Sequence, residues 1–83
     1  MGDVAISIRI MPENPNVDLN KIKNEIFKRM DVKDAKIEPI AFGLKALKIL
    51  IITPDKGGTE EIENQIRKIN GVADVEVESA TLI

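Results

Sequence analysis

Strand-like and helix-like segments alternate along this chain in an order that occurs twice within its 83 residues. Residues 4–10 alternate apolar and other side chains, which predicts a strand with one buried face. Residues 18–30 place apolar side chains three and four positions apart, which predicts a helix. Asp18 is expected to cap this helix, because its carboxylate can accept hydrogen bonds from the free backbone N–H groups.

The second half repeats the order. Residues 37–41 predict a strand at the sheet edge, since Pro39 has no N–H to donate. Residues 44–53 are the most apolar stretch and predict a central strand, joined to the preceding one by a tight hairpin. Thr59 is expected to cap a second helix, and residues 72–78 predict the last strand.

The resulting order, β-α-β-β-α-β with short connections, predicts an α+β fold of the ferredoxin-like type. In this fold a four-stranded antiparallel sheet carries both helices on one face, and we expect residues 1–83 to form one such domain. The opposite face should be open. The alternation places there Ala5, Ser7, Arg9, Lys48, Leu50, Ile52, Glu76 and Glu78.

Histidine and cysteine are both absent from the sequence. Ser-His and Cys-His nucleophiles are therefore excluded, as are zinc sites built from nitrogen and sulfur ligands. The densest acidic group, Glu60, Glu61 and Glu63, is typical of a helix N-terminus. Residues 55–59 predict a turn and a cap, because Lys56 precedes the glycines and the P-loop order is not met. We expect no metal, no cofactor and no enzymatic activity, and hence a protein that works by binding.

The net charge is −2, and Phe27 and Phe42 are the only aromatic residues. Direct nucleic-acid binding is therefore disfavoured, because it relies on basic surfaces and exposed aromatic rings. No apolar run approaches the ~20 residues that span a bilayer, so no membrane association is expected. The expected state is a cytoplasmic protein, monomeric when free.

Phe42 lies in the predicted hairpin between Ala41 and Gly43. An aromatic side chain on a tight turn projects outward unless it folds back on the core, and aromatic anchors are enriched at binding hot spots. Lys45 and Lys48 flank the start of the next strand, where they could meet an acidic partner or simply be solvated.

Several segments resemble the archaeal elongation factor 1-beta family. They are Met1-Gly2-Asp3-Val4, Met11-Pro12, Pro39-Ile40-Ala41-Phe42-Gly43-Leu44-Lys45-Ala46-Leu47, Gly57-Gly58-Thr59-Glu60 and Ile69-Asn70-Gly71-Val72. The segment from Ala41 to Leu47 is the most specific of them. The resemblance implies a guanine-nucleotide exchange factor for elongation factor 1-alpha, the GTPase that delivers aminoacyl-tRNA to the ribosome.

The same resemblance implies that Phe42, Gly43 and Lys45 contact this GTPase. One feature departs from the family pattern: no basic residue follows Lys68, whereas archaeal members commonly carry basic residues in the tail. Two interpretations follow: exchange depends on reshaping the loops of the GTPase, or the chain is a divergent paralogue of the family. The alternative interpretation is a small ferredoxin-like regulatory or ligand-binding module without exchange activity.

Overall fold

The computed structural model describes residues 2–41, 43–54 and 59–83. Its elements are, in chain order, β1 (Val4–Pro12), α1 (Leu19–Arg29), β2 (Val32–Pro39), β3 (Lys45–Thr53), α2 (Thr59–Arg67) and β4 (Val72–Leu82). The strands form one antiparallel sheet in the order β2-β3-β1-β4. The helices pack on one face of it, α1 against β2 and β3, and α2 against β4. The predicted ferredoxin-like fold is confirmed.

The core is built around β1, which lies between β3 and β4 in the sheet. Ile6, Ile8 and Ile10 have no exposed surface, as the alternation in residues 4–10 predicts. Burying a side chain of this size stabilises the fold by about 1.5–3 kcal/mol. Side chains from both helices and all the strands complete the core: Leu19, Ile22, Ile26, Val32, Leu47, Ile49, Ile51, Ile66, Ile69, Val72 and Val75.

The first helix agrees with the prediction to within one residue at each end. The Asp18 carboxylate accepts a hydrogen bond of 2.9 Å from the backbone N–H of Asn20, which confirms the predicted cap. The predicted cap of the second helix, Thr59, is the first residue of α2, and the residue before it lies outside the described ranges.

The strand predicted at residues 37–41 is displaced toward the N-terminus, since β2 covers Val32–Pro39. A register shift between Val32 and Asp34 explains the error. It sets Val32 and Ala35, which both face the helices, three residues apart, so the period of two that identifies a strand is lost. The expectation for Pro39 is confirmed, because β2 lies at an edge of the sheet.

Two strands extend further than predicted. β1 continues to Pro12, which pairs with Val72 beyond a second register shift, instead of ending at Ile10. β4 continues to Leu82 instead of ending at Glu78. Glu78 lies at the bulge where the partners of Ser7 and Ile8 fall out of step, and the exposed residues that follow carry no apolar alternation that would predict a strand.

Gly71 closes the turn between α2 and β4 with a φ of 94°. Only glycine adopts this backbone conformation without strain. A Cβ atom at this position would also lie 2.9 Å from Cγ1 of Val17, in the connection between β1 and α1. The sequence therefore needs glycine here for two reasons, conformation and close packing.

Gly71→Ala is expected to lower the free energy of unfolding more than Gly43→Ala does. Gly43 also has a positive φ, of 76°, and a left-handed conformation costs a non-glycine residue about 1–2 kcal/mol at either site. At Gly43, however, no atom of the described residues, apart from its chain neighbours, lies within 4 Å of the added methyl group. Urea denaturation of the two variants measures the difference, and equal losses would show that the contact with Val17 relaxes freely.

Candidate functional site

Three connections meet at the end of the sheet where β1 stops. β1 is antiparallel to both of its neighbours, so Ile10 lies opposite Leu47 near the start of β3 and opposite Val75 near the start of β4. The connections are residues 13–18, 40–44 and 68–71, and we refer to them together as the hairpin end. The backbone N–H of Glu13 donates a hydrogen bond of 2.9 Å to the carbonyl of Gly71, which joins two of these connections.

The connection between β2 and β3 is a short hairpin. The N–H of Ile40 donates to the carbonyl of Leu44 at 2.9 Å, and the N–H of Leu44 donates to the carbonyl of Ala41 at 2.8 Å. The second bond closes a β-turn in which Gly43 takes the left-handed conformation that L-residues avoid. Phe42, which we predict to contact a partner, lies outside the described residues.

A cleft of about 300 Å³ separates this hairpin from the connection between β1 and α1. Gly43 and Lys45 line one side of it, and Pro15 and Val17 line the other. Lys45 is exposed and is the first residue of β3, opposite Pro39. The structure thus places two of the three predicted contact residues in one cleft.

The other residues of the cleft were not predicted from the sequence. Ile37 lies on the helix-covered face of β2, opposite Leu47, yet it is 39% exposed because β2 is an edge strand. The separation between these residues in the chain explains the omission, because only the tertiary fold brings residues 12–20 to the hairpin.

The open face of the sheet carries paired charges. Arg9 pairs with Glu76 on the neighbouring strand, and Lys48 lies 3.5 Å from Glu38 and 3.3 Å from Glu78. Lys36 completes the group at 3.3 Å from Glu38. This arrangement confirms the predicted face and shows that its central cations are held by carboxylates from flanking strands.

These contacts shift two pKa values. A hydrogen bond from Lys36, supported by the charges of Lys48 and Lys36, lowers the pKa of Glu38 against the opposing effect of desolvation. A hydrogen bond to Glu78 and the charges of Glu38 and Glu78 raise the pKa of Lys48. Both shifts favour the charged forms that make the ion pairs.

Within residues 2–41, 43–54 and 59–83, no three acidic side chains come together in a way that could hold a metal ion. Neither described helix has the length and apolar character needed to cross a bilayer. The hairpin end itself presents a cleft, a turn with a left-handed glycine and an exposed lysine.

Comparison with known proteins identifies close relatives over the whole length. Residues 5–83 match the family described as the EF-1 guanine nucleotide exchange domain. The chain is 45% identical to the elongation factor 1-beta of Methanoculleus marisnigri over 84 residues, with 100% of both chains covered. It is 42% identical to that of Staphylothermus marinus over 85 residues, covering 95% of this chain and 94% of the relative.

Solved structures with the same fold include the ACT domain from GTP pyrophosphokinase of Chlorobium tepidum. Its NMR structure superposes with a TM-score of 0.72 at 23% identity, and covers 93% of this chain and 88% of that one. Its crystal structure gives a TM-score of 0.66 at 22% identity. At this level of identity the likeness concerns the fold alone, and it gives no support to the alternative of a ligand-binding module.

The ion pairs of Glu38 should make stability depend on pH. The pKa of Glu38 is lowered in the folded protein from its ordinary value of 4.5. The contribution of Glu38 to the free energy of unfolding is therefore present above pH 4.5 and is lost as the pH falls through the lower pKa of the folded state. Between about pH 8 and pH 3, the melting temperature of Glu38→Gln should therefore fall less than that of the parent as the pH is lowered. Glu13→Gln, which removes an exposed loop carboxylate, is the control. Parallel curves for the parent and Glu38→Gln would contradict the assignment.

Proposed function

We propose, because the chain belongs to the elongation factor 1-beta family, that it contacts a GTPase through its β2–β3 hairpin. The exchange domain matched by residues 5–83 and the full-length relatives make this chain a translation elongation factor that promotes guanine-nucleotide exchange. The family implies elongation factor 1-alpha as the GTPase partner. The proposal adds where the contact lies and how it acts.

Exchange of this kind requires binding energy and no covalent step. A factor that binds the nucleotide-free GTPase more tightly than the GDP-bound form must weaken GDP affinity by the same ratio. The absence of histidine and cysteine from the sequence agrees with such a role, since the commonest nucleophile and base pairs cannot be assembled. We infer that this chain acts by binding alone.

The geometry of the hairpin supports it as the site of the proposed contact. Its turn depends on the left-handed backbone of Gly43, and hydrogen bonds of 2.8 and 2.9 Å fix the residues that flank it. Phe42, an aromatic residue of a kind enriched at protein interfaces, stands between Ala41 and Gly43 in the sequence. Lys45 is exposed beside the turn and forms no ion pair with the described residues. Because hydrogen bonds already order Ile40, Ala41 and Leu44, a partner that binds here has little backbone entropy to overcome.

Phe42→Ala is expected to raise the concentration of factor that gives half-maximal GDP release by roughly 30-fold. This corresponds to about 2 kcal/mol, the size of effect that defines a binding hot spot. The measurement uses elongation factor 1-alpha from the same organism loaded with fluorescent GDP, and follows the rate of GDP release as the factor concentration is raised to saturation.

The chain offers a matched control. Phe27 is the only other aromatic residue, lies on α1 and is 48% exposed, so Phe27→Ala removes the same side chain away from the hairpin. Lys45→Ala should also weaken exchange, whereas Lys33→Ala, at the opposite end of β2, should not. A parent protein that leaves GDP release unchanged would contradict exchange itself. A Phe42→Ala variant as active as Phe27→Ala would contradict only the hairpin contact.

A further inference from the structure

A second surface of the molecule is a polar groove of about 840 Å³ beside α1. One wall is the flank of α1 that carries Lys21 and Glu25, and the other is formed by residues 68–70, which follow α2. Ile22 and Ile69 lie beneath, but they are only 2% and 7% exposed. The floor therefore offers little apolar area, and the rim must provide most of any binding energy.

The rim is positively charged on a chain that is negative overall. Its lining holds four cations and two carboxylates: Lys21, Lys28, Arg29 and Lys68, and Asp18 and Glu25. The groove therefore carries a net charge of +2, while the whole chain carries −2. Glu25 is shared by Lys28 and Arg29, at 3.8 Å from each.

Two of these cations are left for a ligand. The second carboxylate of the groove belongs to Asp18, whose side chain accepts the hydrogen bond that caps α1. Lys21 and Lys68 are exposed and form no ion pair within residues 2–41, 43–54 and 59–83. The groove thus keeps two cations that no carboxylate of the described chain neutralises.

This groove adjoins the cleft at the hairpin. Val17 and Asp18 line both of them, because the connection between β1 and α1 forms the ridge that separates the two. A partner that covers Gly43 and Lys45 would need only to extend across this ridge to reach Lys21 and Lys68. The two features therefore form one surface that runs from the hairpin to the helices.

We infer that this cationic groove receives an acidic segment of the GTPase that the hairpin binds, an inference that rests on the proposed function. Unpaired lysines on a rim attract a carboxylate-bearing partner and orient it before the short-range contacts form. RNA fits the same groove less well. Its lining contains no aromatic ring on which bases could stack, and it includes two carboxylates that would repel phosphates.

The test compares two lysines of the same helix. Lys21 lines the groove, whereas Lys23 lies on the other flank of α1 and lines neither the groove nor the cleft. Lys21→Glu should raise the factor concentration needed for half-maximal GDP release by at least about threefold, with the maximal release rate unchanged. Lys23→Glu makes the same change in net charge on the same helix, and it should leave that concentration close to the parent value.

A double variant, Lys21→Gln/Lys68→Gln, tests the groove without introducing new repulsion beside Asp18 and Glu25. It should bind more weakly than the parent at low ionic strength and should lose less affinity as salt is raised from about 0.05 M to 0.3 M. Thermal unfolding of each variant confirms that it is folded.

The outcomes separate the two proposals. Exchange by the parent with equal half-maximal concentrations for Lys21→Glu and Lys23→Glu would overturn the groove assignment and leave the exchange function standing. If the parent binds unfractionated transfer RNA and Lys21→Glu does not, while exchange is unaffected, the groove would be assigned to RNA instead. A parent that does not accelerate GDP release would overturn the proposed function, and the groove assignment with it.

Discussion

The pairing of β1 with both β3 and β4 is the interaction on which the rest of this structure depends. β1 is the only strand whose alternate side chains, from Ile6 to Ile10, are completely buried in an unbroken series. The two helices share one face of the sheet and flank this strand, with α1 over β2 and β3 and α2 over β4. A slip of one residue in its register would turn the isoleucines to the open face and bring Arg9 into the core, so the register is strongly specified.

This register also decides where the candidate site lies. Because β1 is antiparallel to both neighbours, its last residues lie beside the first residues of β3 and β4. The hairpin, the connection after β1 and the turn at Gly71 are thereby brought to one end of a molecule 42 Å long. The last strand ends at the other, where Asp3 and Ile83 exchange backbone hydrogen bonds of 3.2 and 2.8 Å. A partner that contacts both ends would have to span the full length of the sheet.

Much of this arrangement could be predicted from the sequence, because the relevant signals are local. The alternation in residues 4–10, the cap at Asp18 and the missing N–H of Pro39 each depend on a few neighbouring residues. The start of β2 and the end of β4 could not be predicted in this way. Each is separated from the rest of its strand by a bulge, and a bulge changes the spacing of the apolar residues without any marker in the sequence. The cleft and the groove depend on how distant segments pack, so no local pattern in the sequence marks Ile37 or Lys68 as part of a binding surface.

Electrostatics separates the surfaces that such a fold could use for binding. On the open face, Arg9 and Lys48 are matched with carboxylates from other strands, and Lys36 is matched with Glu38 of its own strand, so a partner would have to compete with contacts that are already made. Four described lysines form no ion pair within the described ranges, and all but Lys23 line the cleft at the hairpin or the groove beside it: Lys21, Lys23, Lys45 and Lys68. Attraction between proteins depends on charge that is not already neutralised within either partner. The distribution of unpaired cations therefore favours the hairpin end and the flank of α1, rather than the broad face of the sheet, as the surface for the proposed GTPase contact.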